Sequence, residues 1–134
     1  MSQENVEIVL AAFDAYNAGD LDAMMRFYAP DLEVLPDSAV FPESAPLHGV
    51  NEFRAWVEQI DAAWENPRYL TGEAIDVGGN RVILRGEWGG IGASSGIEMY
   101  SSITGIFTVR DGQISRTEYL FDHDKALKAV GLAG

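Results

Sequence analysis

The order of its periodic segments constrains this chain most: three amphipathic helical stretches come first, then four strand-like stretches joined by glycine-bearing turns. Helices gathered on one side of an antiparallel sheet define an α+β layer architecture. A strongly curved sheet closed by helices leaves a concave apolar interior, where small molecules usually bind. In the first helix Val6, Val9, Leu10, Phe13 and Tyr16 or Asn17 recur at three-to-four spacing. Gly19 suits the left-handed position that ends a helix, and Asp20 can cap the next one. That second helix is expected to bury Leu21, Met24, Met25 and Tyr28 and to stop before Pro30. A short strand, Leu32–Leu35, then leads into a loop marked by Pro36, Pro42 and Pro46.

The third helix carries one stripe of Phe53, Trp56, Val57, Ile60 and Trp64, and Asn66-Pro67 is expected to end it. From Arg68 the period becomes two, which predicts strands at 68–77, 81–89, 97–110 and 113–122. Gly78-Gly79-Asn80 and Asp111-Gly112 are turn sequences, and Gly89–Gly96 is read as a flexible connection. That connection lies between strands, lacks a lysine and opens no helix, so it is not a phosphate loop. Gly105 is placed as a bulge or kink in the longest strand, and Asp124–Leu132 as a short terminal helix. Neither face of 97–110 is plainly polar, so helices are expected on one side and a second copy of the chain on the other.

Composition removes several function classes. At 134 residues, with no repeat or linker, the chain reads as one domain, 1–134. A net charge of −12 repels phosphate backbones and anionic lipid surfaces, so neither nucleic acid nor a membrane is an expected partner. No cysteine is present, which excludes disulfides, thiolate nucleophiles and zinc–cysteine sites. Two distant histidines leave no expected metal site. No Gly-x-Ser-x-Gly elbow supports a serine hydrolase. No apolar run reaches the roughly 18 residues of a membrane span, and Met1-Ser2-Gln3-Glu4 lacks the features of a signal peptide, so a cytoplasmic location is expected.

Asn17-Ala18-Gly19-Asp20-Leu21, Phe27-Tyr28-Ala29-Pro30-Asp31, His48-Gly49, the run Phe107–Ile114 and the run Ala126–Leu132 follow one another in a specific order. In that order the chain resembles the SnoaL-like branch of the nuclear transport factor 2-like superfamily. The resemblance implies a cone-shaped curved antiparallel sheet packed on three N-terminal helices (a cystatin-like α+β roll) around a pocket, usually as a homodimer. Its members include ketosteroid isomerases, polyketide cyclases, limonene-epoxide hydrolases and scytalone dehydratases, which use no redox cofactor. Other members only bind or dimerise, so fold alone does not decide function.

The isomerase positions fall near Ala12, Pro36 and Gly105, none of which carries the required group, and Asp37 beside them reads as a solvated loop acid or a pocket contact. Arg85 and Glu87 share a strand face, as part of an epoxide-hydrolase relay or as a surface ion pair. Tyr119 lies nearer than any acid to the position of that relay's second carboxylate, while Glu118 and Asp122 have the opposite parity. The cyclase branch points to Asp122 ahead of Gly131-Leu132, with His123 beside it, although Asp122 could equally cap the terminal helix. His48, at the start of helix three, is of a residue type that can act as a general base, or is a solvent-exposed helix-entry residue. Trp56, Trp64, Tyr100, Tyr119 and Phe121 are the aromatic candidates for a pocket wall, and Tyr16 and Tyr119 add hydroxyls that need partners if buried. Two readings stand: a cofactor-independent acid–base enzyme acting on a small hydrophobic carbonyl or epoxide compound, or a non-catalytic module that binds a hydrophobic ligand or dimerises.

Overall fold

Gly19 adopts φ 77° and ends helix α1 (Ser2–Asn17), as the left-handed position requires. Asp20 then caps α2 (Leu21–Met25), its Oδ1 accepting from the Ala23 amide at 3.0 Å. The computed structural model describes residues 2–37 and 45–131. Helix α2 is shorter than its apolar spacing suggests. The Phe27 carbonyl accepts from Ile114 N at 2.8 Å, so the chain leaves the helix to pair with a strand from the far end of the sequence. Tyr28 therefore opens strand β1 (Tyr28–Leu35) instead of closing a helix. A two-residue strand β2 (Leu47–His48) precedes α3 (Val50–Asp61). Pro42 lies outside the described residues.

Strands β3 (Trp64–Gly78), β4 (Arg81–Gly92), β5 (Glu98–Arg110) and β6 (Gln113–Leu120) complete one six-stranded sheet in the order β2-β1-β6-β5-β4-β3. Only β1 and β6 run parallel. Trp64, expected on helix three, instead pairs with Gly92 and starts β3. Asn66-Pro67 does not end a helix: the register shifts between Glu65 and Arg68, and Asn66 takes φ 51° there, so the pair forms a bulge within a strand. Half of the expected 89–96 connection is strand instead, Gly89–Gly92 belonging to β4, and Gly96 (φ 69°) lies in the turn that remains. The terminal helix α4 (His123–Ala129) is shorter than expected, and Leu132 lies outside the described residues.

Gly105 is not the bulge. It pairs regularly with Leu84 and Tyr119, and the irregularity of β5 falls between Thr108 and Val109. A Cβ at Gly105 would stand 2.5 Å from the Phe107 ring, so the missing side chain makes room for that aromatic. Gly86 does the same for Tyr69, whose ring would meet a Cβ there at 2.5 Å.

The concave face of the sheet buries Val82, Leu84, Phe107 and Tyr119 against Val9 and Phe13 of α1 and Phe53 and Val57 of α3. The opposite face carries a smaller cluster, in which Ile83 and Ile106 pack on Ala126 and Val130. Part of the second face is therefore covered from within the chain by α4, where the sequence led us to expect only a partner. Exposed ion pairs between Arg110 and Asp31 (2.6 Å) and Arg116 and Glu33 (2.9 Å) tie β5 and β6 to β1. Such pairs contribute little to stability.

Candidate functional site

The helices do not fill the concavity. Between α1, α3 and the sheet lies a cavity of about 60 Å³, several times the roughly 10–15 Å³ that one water needs. Of the thirteen described residues that line it, eight are aromatic and one, Asp61, is an acid interrupting the apolar wall. Helix α1 supplies Phe13 and Tyr16, α3 supplies Phe53, Trp56, Val57, Ile60 and Asp61, and the strands supply Tyr69, Trp88, Ile103 and Tyr119. The rings brace one another: Phe13 and Tyr69 lie with centroids 4.3 Å apart, and Trp56 stacks on Tyr119 at 6.3 Å. Such a wall is preorganised for a compact apolar ligand.

Three polar side chains meet in that wall. The Tyr16 hydroxyl donates to Asp61 Oδ1 at 2.8 Å and accepts from Trp88 Nε1 at 2.9 Å. Burial pushes the Tyr16 phenol far above its ordinary pKa; the Trp88 bond offsets part of this, and the Asp61 charge adds to it. Asp61 is half-buried, and burial raises its carboxyl above the usual carboxylate range, against the opposing effect of the Tyr16 bond. Tyr16 therefore stays a donor across the physiological range, while Asp61 is displaced toward neutrality. Tyr16→Phe is expected to raise the Asp61 pKa further, because the donor favouring its ionised form is lost, and to cost about 1 kcal/mol of stability. The pH dependence of the Asp61 carboxyl 13C shift reads the first effect, and denaturant unfolding the second.

Deeper in, Tyr119 is 7% exposed and lines the cavity, and burial raises its phenol pKa. Its hydroxyl lies within electrostatic reach of Tyr16, Tyr28 and Tyr69. The Tyr28 hydroxyl is buried with no hydrogen-bond partner among the described residues. The Tyr28 and Tyr119 hydroxyls are close enough to influence one another's ionisation, but no bond of good geometry joins them. Tyr69 is fixed differently, its hydroxyl donating to the carbonyls of Leu84 (3.3 Å) and Ile103 (3.2 Å).

Tyr16, Trp56, Tyr119 and Phe121 thus stand in the cavity wall, as the sequence suggested. Trp64 stands just behind it, edge-to-face on Trp88 at 5.5 Å. Tyr100 lines a separate, more polar hollow and donates its hydroxyl to Glu98 at 3.3 Å. The other candidates lie elsewhere. Asp122 is exposed and caps α4, accepting from the amides of Asp124 and Lys125, so it does not stand in an apolar pocket. Its neighbour His123 approaches Thr104 Oγ1 through Nδ1 at 2.9 Å, and neither residue lines the cavity. Arg85 and Glu87 are exposed, because the strand alternation that turns Leu84 and Trp88 inward turns them outward. Among the described residues no ion pair joins the two. His48 is exposed on β2. Asp37, expected to be solvated, is 6% exposed, and its Oδ2 accepts from the Phe121 amide at 2.9 Å. It holds the backbone beside the cavity without lining it.

Sequence reasoning missed Asp61 and Trp88. The signal for Asp61 was present: it follows Val57 by four and Phe53 by eight, so it is an acid on the buried stripe of α3. No group of three or more histidine, aspartate or glutamate side chains among the described residues could hold a metal ion. No helix among them is long and apolar enough to cross a membrane.

The sequence model of the SnoaL-like domain matches residues 9–117. No curated protein sequence matches the chain. Among solved structures, TerC co-crystallised with polyporic acid has a TM-score of 0.76 at 19% identity, over 95% of this chain and 98% of TerC. A candidate polyketide cyclase, SMa1630 of Sinorhizobium meliloti, has a TM-score of 0.68 at 29% identity, covering 85% of this chain and 94% of its own. A hypothetical protein of Catenulispora acidiphila with a ketosteroid isomerase-like fold, in complex with trimethylamine, has a TM-score of 0.74 at 21% identity over 94% and 93% of the two chains.

Proposed function

Because the chain belongs to the SnoaL-like domain family, whose pocket architecture it shares, we propose that it is a cofactor-independent enzyme moving a proton on a small, largely apolar carbonyl compound. The observation that carries this reading is one carboxyl with a raised pKa, set in an otherwise apolar aromatic wall and held by Tyr16. Asp61 Oδ1 is engaged by Tyr16, and no described residue bonds Oδ2, which is left to face a ligand. The ionised carboxyl takes a proton from the carbon next to the substrate carbonyl. The Tyr119 hydroxyl, still protonated because burial raises its pKa, donates to the oxygen on which charge develops. Acid and base are both supplied by the chain, so the reaction needs no bound cofactor.

The test uses 2-hexanone in deuterated water. Wild-type protein is expected to accelerate exchange of the α-protons, read by proton NMR, and the rate should rise with pH as Asp61 ionises. Exchange no faster than in buffer, or unaltered in Asp61→Asn, overturns the assignment. The aromatic wall with its lone carboxyl favours a second reading, a non-catalytic site for a small organic cation held over ring faces. The Catenulispora relative bound to trimethylamine lends it weight. In that case tetramethylammonium binds more tightly as pH rises through the Asp61 titration, and 2-hexanone is not turned over.

The active form is proposed to be a homodimer. Support comes from Leu70 and Ile75, 41% and 40% exposed on the sheet face away from the cavity, next to the patch that α4 leaves uncovered. Sedimentation equilibrium at micromolar concentration should give the mass of two chains; that of one chain removes the dimer.

A further inference from the structure

We infer that Asn17 is a positioning residue for the site, tethering the end of α1 to β3 so that the Tyr16 hydroxyl reaches Trp88 and Asp61 together. The inference rests on the proposed role of Asp61 for its bearing on the reaction, while the geometry stands without it. β3 is the last strand of the sheet, so its outer N–H and C=O groups have no strand beside them. Asn17, the last residue of α1, takes the place of one. Its side-chain amide donates to the Tyr69 carbonyl at 2.9 Å and accepts from the Tyr69 backbone amide at 2.8 Å. Such an amide presents an N–H and a carbonyl oxygen side by side, so it can pair with both backbone groups of one extended residue. Aspartate would keep the acceptor but set a carboxylate oxygen against the Tyr69 carbonyl.

That pairing closes a ring of contacts. Both polar backbone groups of Tyr69 face α1, so it meets Trp88, its partner on β4, as a non-hydrogen-bonded pair, the arrangement that brings side chains closest. Trp88 Nε1 donates to the Tyr16 hydroxyl at 2.9 Å, and that hydroxyl donates to Asp61 at 2.8 Å. Tyr16 directly precedes Asn17, and the turn that follows them is closed by hydrogen bonds. Gly19 donates to the Tyr16 carbonyl and Asp20 to the Ala15 carbonyl, each at 3.0 Å. A shift at Asn17 is therefore passed on to Tyr16. The Phe13 ring also meets the Tyr69 ring, at 4.3 Å between centroids, but apolar contact is not directional and lets the helix slide on β3. The paired hydrogen bonds set the distance and the register.

The experiment compares Asn17→Ala and Tyr16→Phe, singly and combined, by NMR on the intact chain, following the Trp88 indole proton and the Asp61 carboxyl carbon through a pH titration. In Tyr16→Phe the indole loses its acceptor and the Asp61 carboxyl its donor, which fixes both end points. Asn17→Ala is expected to move the indole resonance upfield and the Asp61 pKa upward, most of the way to those end points. In the double variant it should add nothing to Tyr16→Phe, because effects that act through one shared contact are not additive. Wild-type values of both signals in Asn17→Ala overturn the tether and mark Asn17 as a stabilising residue only. So does an Asp61 change as large in the Tyr16→Phe background as in wild type. Should Asn17→Ala not fold, Asn17→Ser is the second variant, its shorter side chain reaching at most one of the two backbone groups. It is expected to give the same displacements at smaller size, and unchanged signals there overturn the proposal equally. Exchange of 2-hexanone α-protons is followed separately: none in wild type removes the carbonyl reading, while the tether stands or falls on the two resonances.

Discussion

Asp61→Asn is expected to lower the rate of α-proton exchange by about two to four orders of magnitude, the usual contribution of a positioned acid or base. The amide keeps an oxygen that can accept from Tyr16, so the Tyr16–Trp88 arrangement survives while the proton-accepting carboxylate is lost. The variant should not be less stable at neutral pH. In wild type the Asp61 pKa is raised above its unfolded value by burial, so the folded state holds the proton more tightly than the unfolded chain. Stability consequently falls as pH rises from the ordinary aspartate value, about 3.9, through the raised folded value. The variant lacks that loss. Its stability relative to wild type should therefore be greater at pH 7 than at pH 3, by a modest amount because Asp61 is only half-buried and solvent screens it. Denaturant unfolding at the two pH values checks the sign. An inactive variant that is also markedly less stable at pH 7 would mark Asp61 as a structural residue.

The half-buried acid proposed to carry the site illustrates what was and was not legible in the sequence. Helical spacing identified the stripe Phe53, Val57 and Ile60 correctly, but the same spacing drew Trp64 into the helix. Pairing of Trp64 with Gly92, 28 positions along the chain, overrides a local period that fits equally well. Carrying the stripe on to Trp64 passed over Asp61, the half-buried acid at its true end. For Arg85 and Glu87 the shared face was readable, but its direction was not. Gly86 between them points inward, where the Tyr69 ring takes the room a side chain would need. A glycine carries no hydropathy signal to say so. Asp122 sits next to both a strand end and a helix start, and the helix start claims its carboxylate. Asp37 was judged by the usual exposure of aspartate; its burial follows from a bond to the Phe121 amide, which no local pattern announces.

The same logic of absent side chains makes Gly89→Ala the most damaging small substitution expected in the sheet. Gly89 lies between Arg68 on one neighbouring strand and Tyr100 on the other. A Cβ there would sit 1.9 Å from the Met99 carbonyl oxygen and 2.9 Å from the Tyr100 Cα. Both obstacles are backbone, so no rotamer change relieves them and β5 itself must move. Overpacking typically costs about 1–3 kcal/mol, and a clash with backbone on this scale belongs at the top of that range or beyond. Gly105→Ala is the control, because the nearest obstacle to its Cβ is the Phe107 ring at 2.5 Å, which can tilt. Guanidinium unfolding should place the midpoint of Gly89→Ala below that of Gly105→Ala, with both below wild type. The loss should extend to the site, since Trp88 precedes Gly89 and its Nε1 holds Tyr16 at 2.9 Å. If Gly89→Ala unfolds within about 0.5 kcal/mol of wild type, the size of an ordinary surface change, then β4 and β5 do not approach at Gly89 as described, and the close pairing that aims Trp88 at the cavity is refuted with it.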